Sequence, residues 1–199
     1  MARTKDYEWI SDMCENEGIE ERKVEKCSTY LFETYFKAKR ARRFSELKKA
    51  VNNNDIIETE VKKTEEKKKM RHEYLLLMQG VKKVDQRKFV LAALSTSWID
   101  EKIELIINEI ADLCDNGTLY RTILIETYLK EKPLKREELY RACGLGRTAY
   151  FDRRKEALLL FGILTYKYAH RREQEDGMND DGGNEAEIID GIGPGAAII

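Results

Sequence analysis

The chain has two prolines in 199 residues. Proline interrupts helices, so its scarcity leaves long ones possible. Alternating Val, Ile and Thr runs are missing too, which argues against a sheet-based fold. Only two histidines are present, His72 and His170, and the four cysteines stand far apart at Cys14, Cys27, Cys114 and Cys143. No pair forms a C-x-x-C, so the spacing excludes zinc-finger arithmetic, and reduced thiols serving as small core residues are expected. No apolar run approaches the ~20 residues that span a bilayer, and the first thirty residues are charged throughout, unlike a secretory leader. A reducing cytoplasm and no membrane association are the expectation. Also lacking are a phosphate-binding glycine-rich loop, an HExxH helix and a Gly-framed nucleophile. These absences point away from an enzyme, and no cofactor or metal is expected.

What the sequence has is charge and helix-forming side chains. Charged residues make up 37% and hydrophobic ones 42%. Lys, Glu, Leu and Arg are abundant, and each favours helix. The expected class is all-α: a helical N-terminal region, then a C-terminal helix-turn-helix, then a disordered tail. Net charge is −1, but residues 173–199 hold eight acidic side chains and no basic ones. Subtracting those eight leaves a body of +7. A near-neutral whole conceals a basic body with an acidic tail.

The periodicity divides the chain into four expected regions. Residues 1–54 read as an N-terminal helical region. Within it, residues 6–15 form a short amphipathic helix stopped at Gly18, and residues 20–51 a longer one carrying Val24, Cys27, Leu31 and Tyr35 on one face. Lys37, Lys39, Arg40, Arg42, Arg43, Lys48 and Lys49 make a basic cluster that suits phosphate or a solvated face. Residues 55–117 read as a charged central region. There Ile57, Val61 and Thr64 hint at a dimerising heptad that Lys68 and Arg71 break. Further helices are expected at 85–94 and 100–115, the latter with a stripe of Ile103, Ile106, Ile107, Ile110 and Leu113. Residues 118–172 would be the domain that holds the helix-turn-helix. Residues 173–199 are rich in Gly, Asp and Asn and would be a disordered acidic tail ending in apolar residues.

The stretch from Leu134 to Leu158 carries the functional reading. A short helix leads to a turn at Cys143, Gly144, Leu145 and Gly146, and a basic helix starts at Arg147. Leu139, Ala142 and Cys143 would face inward, with Gly144 at a left-handed turn position and Leu145 as an apolar plug. Gly146 would be a weak N-cap. Tyr150, Ala157, Leu158 and Phe161 recur at helical spacing as the buried face. The opposite face presents Arg147, Thr148, Phe151, Asp152 and Lys155, with Arg153 and Arg154 flanking it and Lys135 and Arg136 on the preceding helix. Arg can donate twice to guanine, Phe can meet a thymine methyl, and Asp can accept from cytosine or orient an arginine. Basic side chains at the margin suit phosphates. Residues 133–172 hold ten Lys/Arg against four Asp/Glu. A helical hairpin with solvated basic residues is the plainer reading of the same pattern.

The segment LYRACGLGRTAYFDRRKEALLLF resembles the helix-turn-helix of sigma-70 region 4-like proteins. It is especially similar to the ArpU-type phage transcriptional regulators, whose recognition helix runs into a Lys-Glu-Ala-Leu segment, here Lys155 to Leu158. The resemblance covers about residues 119–168. Lys135 and Gly146 stand where that family has hydroxyl caps, and Asp152 where a basic residue is common. The resemblance implies a regulator of late or lysis-related genes in phages and prophages.

The leading expectation is therefore a sequence-specific DNA-binding transcriptional regulator with double-stranded DNA as partner. RNA polymerase, another phage protein or a second copy of the chain are further partner expectations. A DNA-packaging recognition subunit and a helical protein that docks on polymerase without reading DNA are the alternatives.

Overall fold

The computed structural model describes residues 4–33, 56–79, 100–130 and 134–181. Among these the fold is all-α. The basic cluster at 37–49, the expected helix at 85–94 and the last residues of the acidic tail lie outside the described residues, as does Tyr35.

Helix α1 (Lys5–Asn16) begins at Thr4, whose hydroxyl accepts the Tyr7 amide, and carries Asp6 and Glu8 in its first turn. Both features satisfy the free amides and positive end of a helix start. It stops at Gly18, where φ is +66°. There the Ile19 amide reaches Cys14 carbonyl and the Gly18 amide reaches Glu15 carbonyl, which closes the helix end. Helix α2 is described over 21–33. Helix α3 (Ile56–Met78) follows, then α4 (Asp100–Leu113) and α5 (Gly117–Leu124). Helix α5 runs into a π-helical turn, Ile125–Leu129. The short α6 (Arg136–Ala142) and the long α7 (Arg147–Asp181) complete the set.

Helix α7 is the axis of the molecule, in contact with α1, α3, α4 and α5. At about 1.5 Å per residue its 35 residues extend roughly 50 Å. Ala157, Leu158, Leu159, Leu160, Phe161 and Ile163 are all essentially inaccessible. A helix buried on every side must be apolar all round. The single buried face expected from Tyr150, Ala157, Leu158 and Phe161 is thus too narrow. Those four are buried, but so are their neighbours.

The other helices are laid against this axis. Helix α2 approaches so closely that a Cβ on Gly162 would lie 2.4 Å from Val24 Cγ1 and 2.5 Å from Ser28 Oγ. Phe32 packs its ring 4.5 Å from Phe161 and 5.0 Å from Tyr128, centroid to centroid. Helix α3 runs antiparallel to the far end of α7. Gln79 donates to the Tyr166 hydroxyl at 3.0 Å, His72 pairs with Glu173, and Arg71 pairs with Asp176. Arg71, expected only to break a heptad, is itself a buried packing residue.

Helix α4 buries Ile103, Ile106, Ile107 and Ile110 as the stripe foretold, but Leu113 is 38% exposed and leaves that face. Gly117 lets α5 turn back: a Cβ there would lie 2.3 Å from the Ile110 carbonyl.

One apolar cluster contains Ile10 and Cys14 of α1, Val24 and Leu31 of α2, Tyr74 and Met78 of α3, the α4 isoleucines, and α7 from Ala157 to Ala169. The N-terminal, central and C-terminal regions therefore share a core instead of forming separate units. Helix α7 also continues through Asp181, well into the segment expected to be disordered from residue 173. Arg172 and Arg171 pair with Glu175 along it, and Arg71 anchors Asp176. No described helix is long and apolar enough to cross a membrane.

Candidate nucleic-acid interface

Helix α6, the turn after it and the first turns of α7 form a small substructure with its own apolar centre. Ile123, Leu139 and Tyr150 are buried there, with Leu119, Leu134, Tyr140, Cys143 and Leu145 packed around them. Leu145 is thus the plug the sequence predicted. Ala142 is not part of this centre: it is exposed. Ala142 is the last residue of α6, and Cys143 and Leu145 of the turn that follows pack on the centre in its place.

The turn is built on glycine. Gly144 has φ +65°. Its amide donates to the Arg141 carbonyl at 3.1 Å, and the Leu145 amide donates to the Tyr140 carbonyl at 2.9 Å. This six-to-one and five-to-two pair is the Schellman helix ending, which favours glycine at the left-handed position. Leu145 and Tyr140, the two positions that carry the apolar contact of such an ending, both pack against the same cluster. Gly146 then accepts the Tyr150 amide at 2.9 Å through its carbonyl and starts α7 without a side-chain cap. At the other end of α6 the Lys135 amide donates to the Glu138 carboxylate at 2.8 Å. Lysine has no acceptor to return the bond, so half of a capping box operates here.

Tyr150 fixes α7 from below. Its hydroxyl lies 2.7 Å from Thr127 Oγ1 in the π-helical turn, and its ring lies 5.1 Å from that of Tyr140. Phe151, on the outer side, is 43% exposed. It is held edge-on by Tyr150 at 5.7 Å and by Tyr140 at 6.3 Å.

The structure separates the expected contact residues into two groups. Lys135, Arg136, Arg147, Thr148, Phe151 and Asp152 are exposed. Arg147, Thr148, Phe151 and Asp152 recur at helical spacing on the first turns of α7 and so share one side. Arg141 is also exposed at the end of α6 and joins the basic surface, although the sequence reading did not select it.

Arg153, Arg154 and Lys155 are partly buried and engaged within the protein. Arg153 pairs with Glu156 and donates to Thr4 Oγ1 at 3.1 Å. Burial lowers its hold on the proton, but the hydrogen bond and charge of Glu156 outweigh that and place the guanidinium above its ordinary range. Arg154 lies over the Tyr128 ring at 5.4 Å, and Lys155 over the Tyr7 ring at 5.5 Å. Such cation–π contacts hold a cation while leaving its outer edge available.

Beneath these residues lies a buried polar group that the sequence reading missed. Glu156 is 5% exposed and Asp6 7%. The Tyr120 hydroxyl donates to Glu156 at 2.7 Å and lies 3.3 Å from Asp6 Oδ2. Burial, then the hydrogen bond and charge of Glu156, push this phenol far above its ordinary range. Asp6 accepts the Asn116 backbone amide at 3.1 Å and its side-chain amide at 2.6 Å. The one local signal was the Arg153–Glu156 spacing of three on a helix. Asp6 and Tyr120 are more than a hundred residues apart, and no local pattern joins them.

Comparison with protein-family models, with curated proteins and with solved structures finds no match to the chain.

Proposed function

We propose that the chain is a sequence-specific DNA-binding transcriptional regulator that presents the start of α7 to the major groove. The observation that carries this reading is the exposed face of Arg147, Thr148, Phe151 and Asp152 directly after the Gly144 turn. Such a face combines what base reading requires: a bidentate donor, a hydroxyl, an apolar ring and an acceptor. Exposed Arg136 and Arg141 on α6, and Lys135 just before it, supply cations for the flanking phosphates. In this reading α6 crosses the backbone and α7 is the recognition helix. The resemblance to ArpU-type regulators supports a phage or prophage origin and a sigma-70 region 4-like arrangement.

Pull-down of fragmented genomic DNA by the purified protein, followed by footprinting, tests the proposal. It predicts enrichment of a few discrete sites, each with a protected footprint. Recovery of no DNA, or of all fragments equally, contradicts it.

A second reading is a helical protein that docks on another protein. Trp9 of α1 and Leu105 and Leu113 of α4 favour it, because they are large apolar side chains standing 37–54% exposed. It predicts co-purification of polymerase with no shift of any DNA fragment.

A further inference from the structure

The exposed face lies on one side of α7, and the buried polar group lies on the other side of the same turns. Arg153 follows Asp152 directly, and Glu156 lies one turn further on. Through these two residues α7 is tied to two other elements. Thr4, at the start of α1, donates to Glu156 Oε1 at 3.0 Å and accepts from Arg153. Tyr120 of α5 donates to Glu156, and Asp6 of α1 holds Asn116 at the start of α5. The group is satisfied throughout. The one Tyr120 proton goes to Glu156, and Asp6 draws its donors from Asn116 instead.

Apolar contacts are non-directional, so helices held by them alone can slide or roll by small amounts. Hydrogen bonds fix distance and angle together. Arg153, Glu156, Tyr120 and Asp6 are therefore suited to set the register of the first turns of α7 against α1 and α5. The exposed Phe151 and Asp152 lie on those turns.

Resting on the DNA-binding reading, we infer that Arg153 is a positioning residue. It does not contact the phosphate backbone. It holds the Arg147–Asp152 face in its binding orientation through Glu156, Tyr120 and Asp6.

The test uses the full chain and a short duplex carrying one site recovered in the genomic pull-down, beside a mixed-sequence duplex, with binding measured across a range of salt concentrations. Arg153→Met and Tyr120→Phe each weaken binding by roughly two- to thirty-fold, the range over which residues away from a contact surface modulate affinity. The slope of log K against log salt stays at the wild-type value, and Arg153→Lys, which returns a cation to Glu156, recovers most of the loss. In the free protein Arg153→Met speeds amide hydrogen exchange at 150–154, the first amides bonded within α7, but not at 158–163. A merely structural role would raise both. Glu156→Gln substitutes for Tyr120→Phe if the latter does not fold.

The inference is overturned if Arg153→Met lowers the salt slope by about one, as loss of one phosphate contact would, while Tyr120→Phe binds like wild type. It is also overturned if exchange rises equally along α7. Wild-type protein that binds no duplex at all removes the DNA reading and with it the positioning role. The exchange comparison then still decides whether the brace orders these turns.

Discussion

Arg71 on α3 forms an ion pair with Asp176 on α7 across 105 residues of sequence. The Arg71 side chain is 10% exposed and that of Asp176 21%. The pair sits where the far half of α7 leaves the main core, and it closes the antiparallel packing of α3 on that half. Removing the anion strands a buried cation, whereas removing the cation leaves a carboxylate that can reach water.

Asp176→Asn is accordingly expected to lose up to about 3 kcal/mol, the lower end of what breaking a buried pair costs. Arg71→Met should lose less, because a well-packed apolar side chain needs no partner. Urea unfolding midpoints of the two variants check the order. Equal midpoints would show that the pair is solvated in solution.

Gly162→Ala places a methyl within 2.5 Å of Val24 and Ser28. Helices α2 and α7 must separate to accept it, at a cost of about 1–3 kcal/mol as for other overpacked cores. Thermal unfolding checks this, and the same substitution at Gly177, where the space is open, should be neutral or stabilising.

The two turn glycines separate backbone freedom from space. Gly144→Ala puts a side chain at φ +65° and should cost about 1–2 kcal/mol. Gly146→Ser meets nothing within 4 Å and adds a hydroxyl at the start of α7, which should stabilise by a few tenths of a kcal/mol. Chemical denaturation of both variants reads the opposite signs.

Burial raises the Cys14, Cys27 and Cys114 thiols from 9.0 to about 11. The unfolded chain then releases these protons at lower pH than the folded one. Stability is intact below pH 9 and falls as pH rises from 9 towards 11. Cys27→Ala should flatten that fall, as read from urea midpoints across pH. At pH 8 in the folded protein, thiol alkylation should be slow at Cys14 and Cys27, both nearly inaccessible.

Much of this architecture was legible in local patterns. The isoleucine stripe of α4, the stop at Gly18 and the Gly144–Leu145 turn each depend on residues within one or two turns of each other. So does the start of α7 at Arg147. What was not legible depends on partners far away in sequence. Arg71 looks like a heptad fault until Asp176 is opposite it. Residues 173–181 look like tail by composition, yet they extend an already formed helix, which costs little per residue, and Arg71 holds Asp176 there. Arg153 and Lys155 are equivalent as basic letters. One is committed to Glu156 and Thr4, and the other lies over Tyr7.

The central claim is that the start of α7 binds DNA through its exposed face. Its most direct test is the salt dependence of duplex binding by wild type and by the Arg136→Ala/Arg147→Ala double variant, both residues being exposed, with helicity monitored in parallel. The account predicts unchanged helicity, weaker binding, and a slope of log K against log salt flattened by about one to two, at roughly 0.9 per phosphate contact. A double variant that binds the same duplex with the wild-type affinity and slope would contradict it.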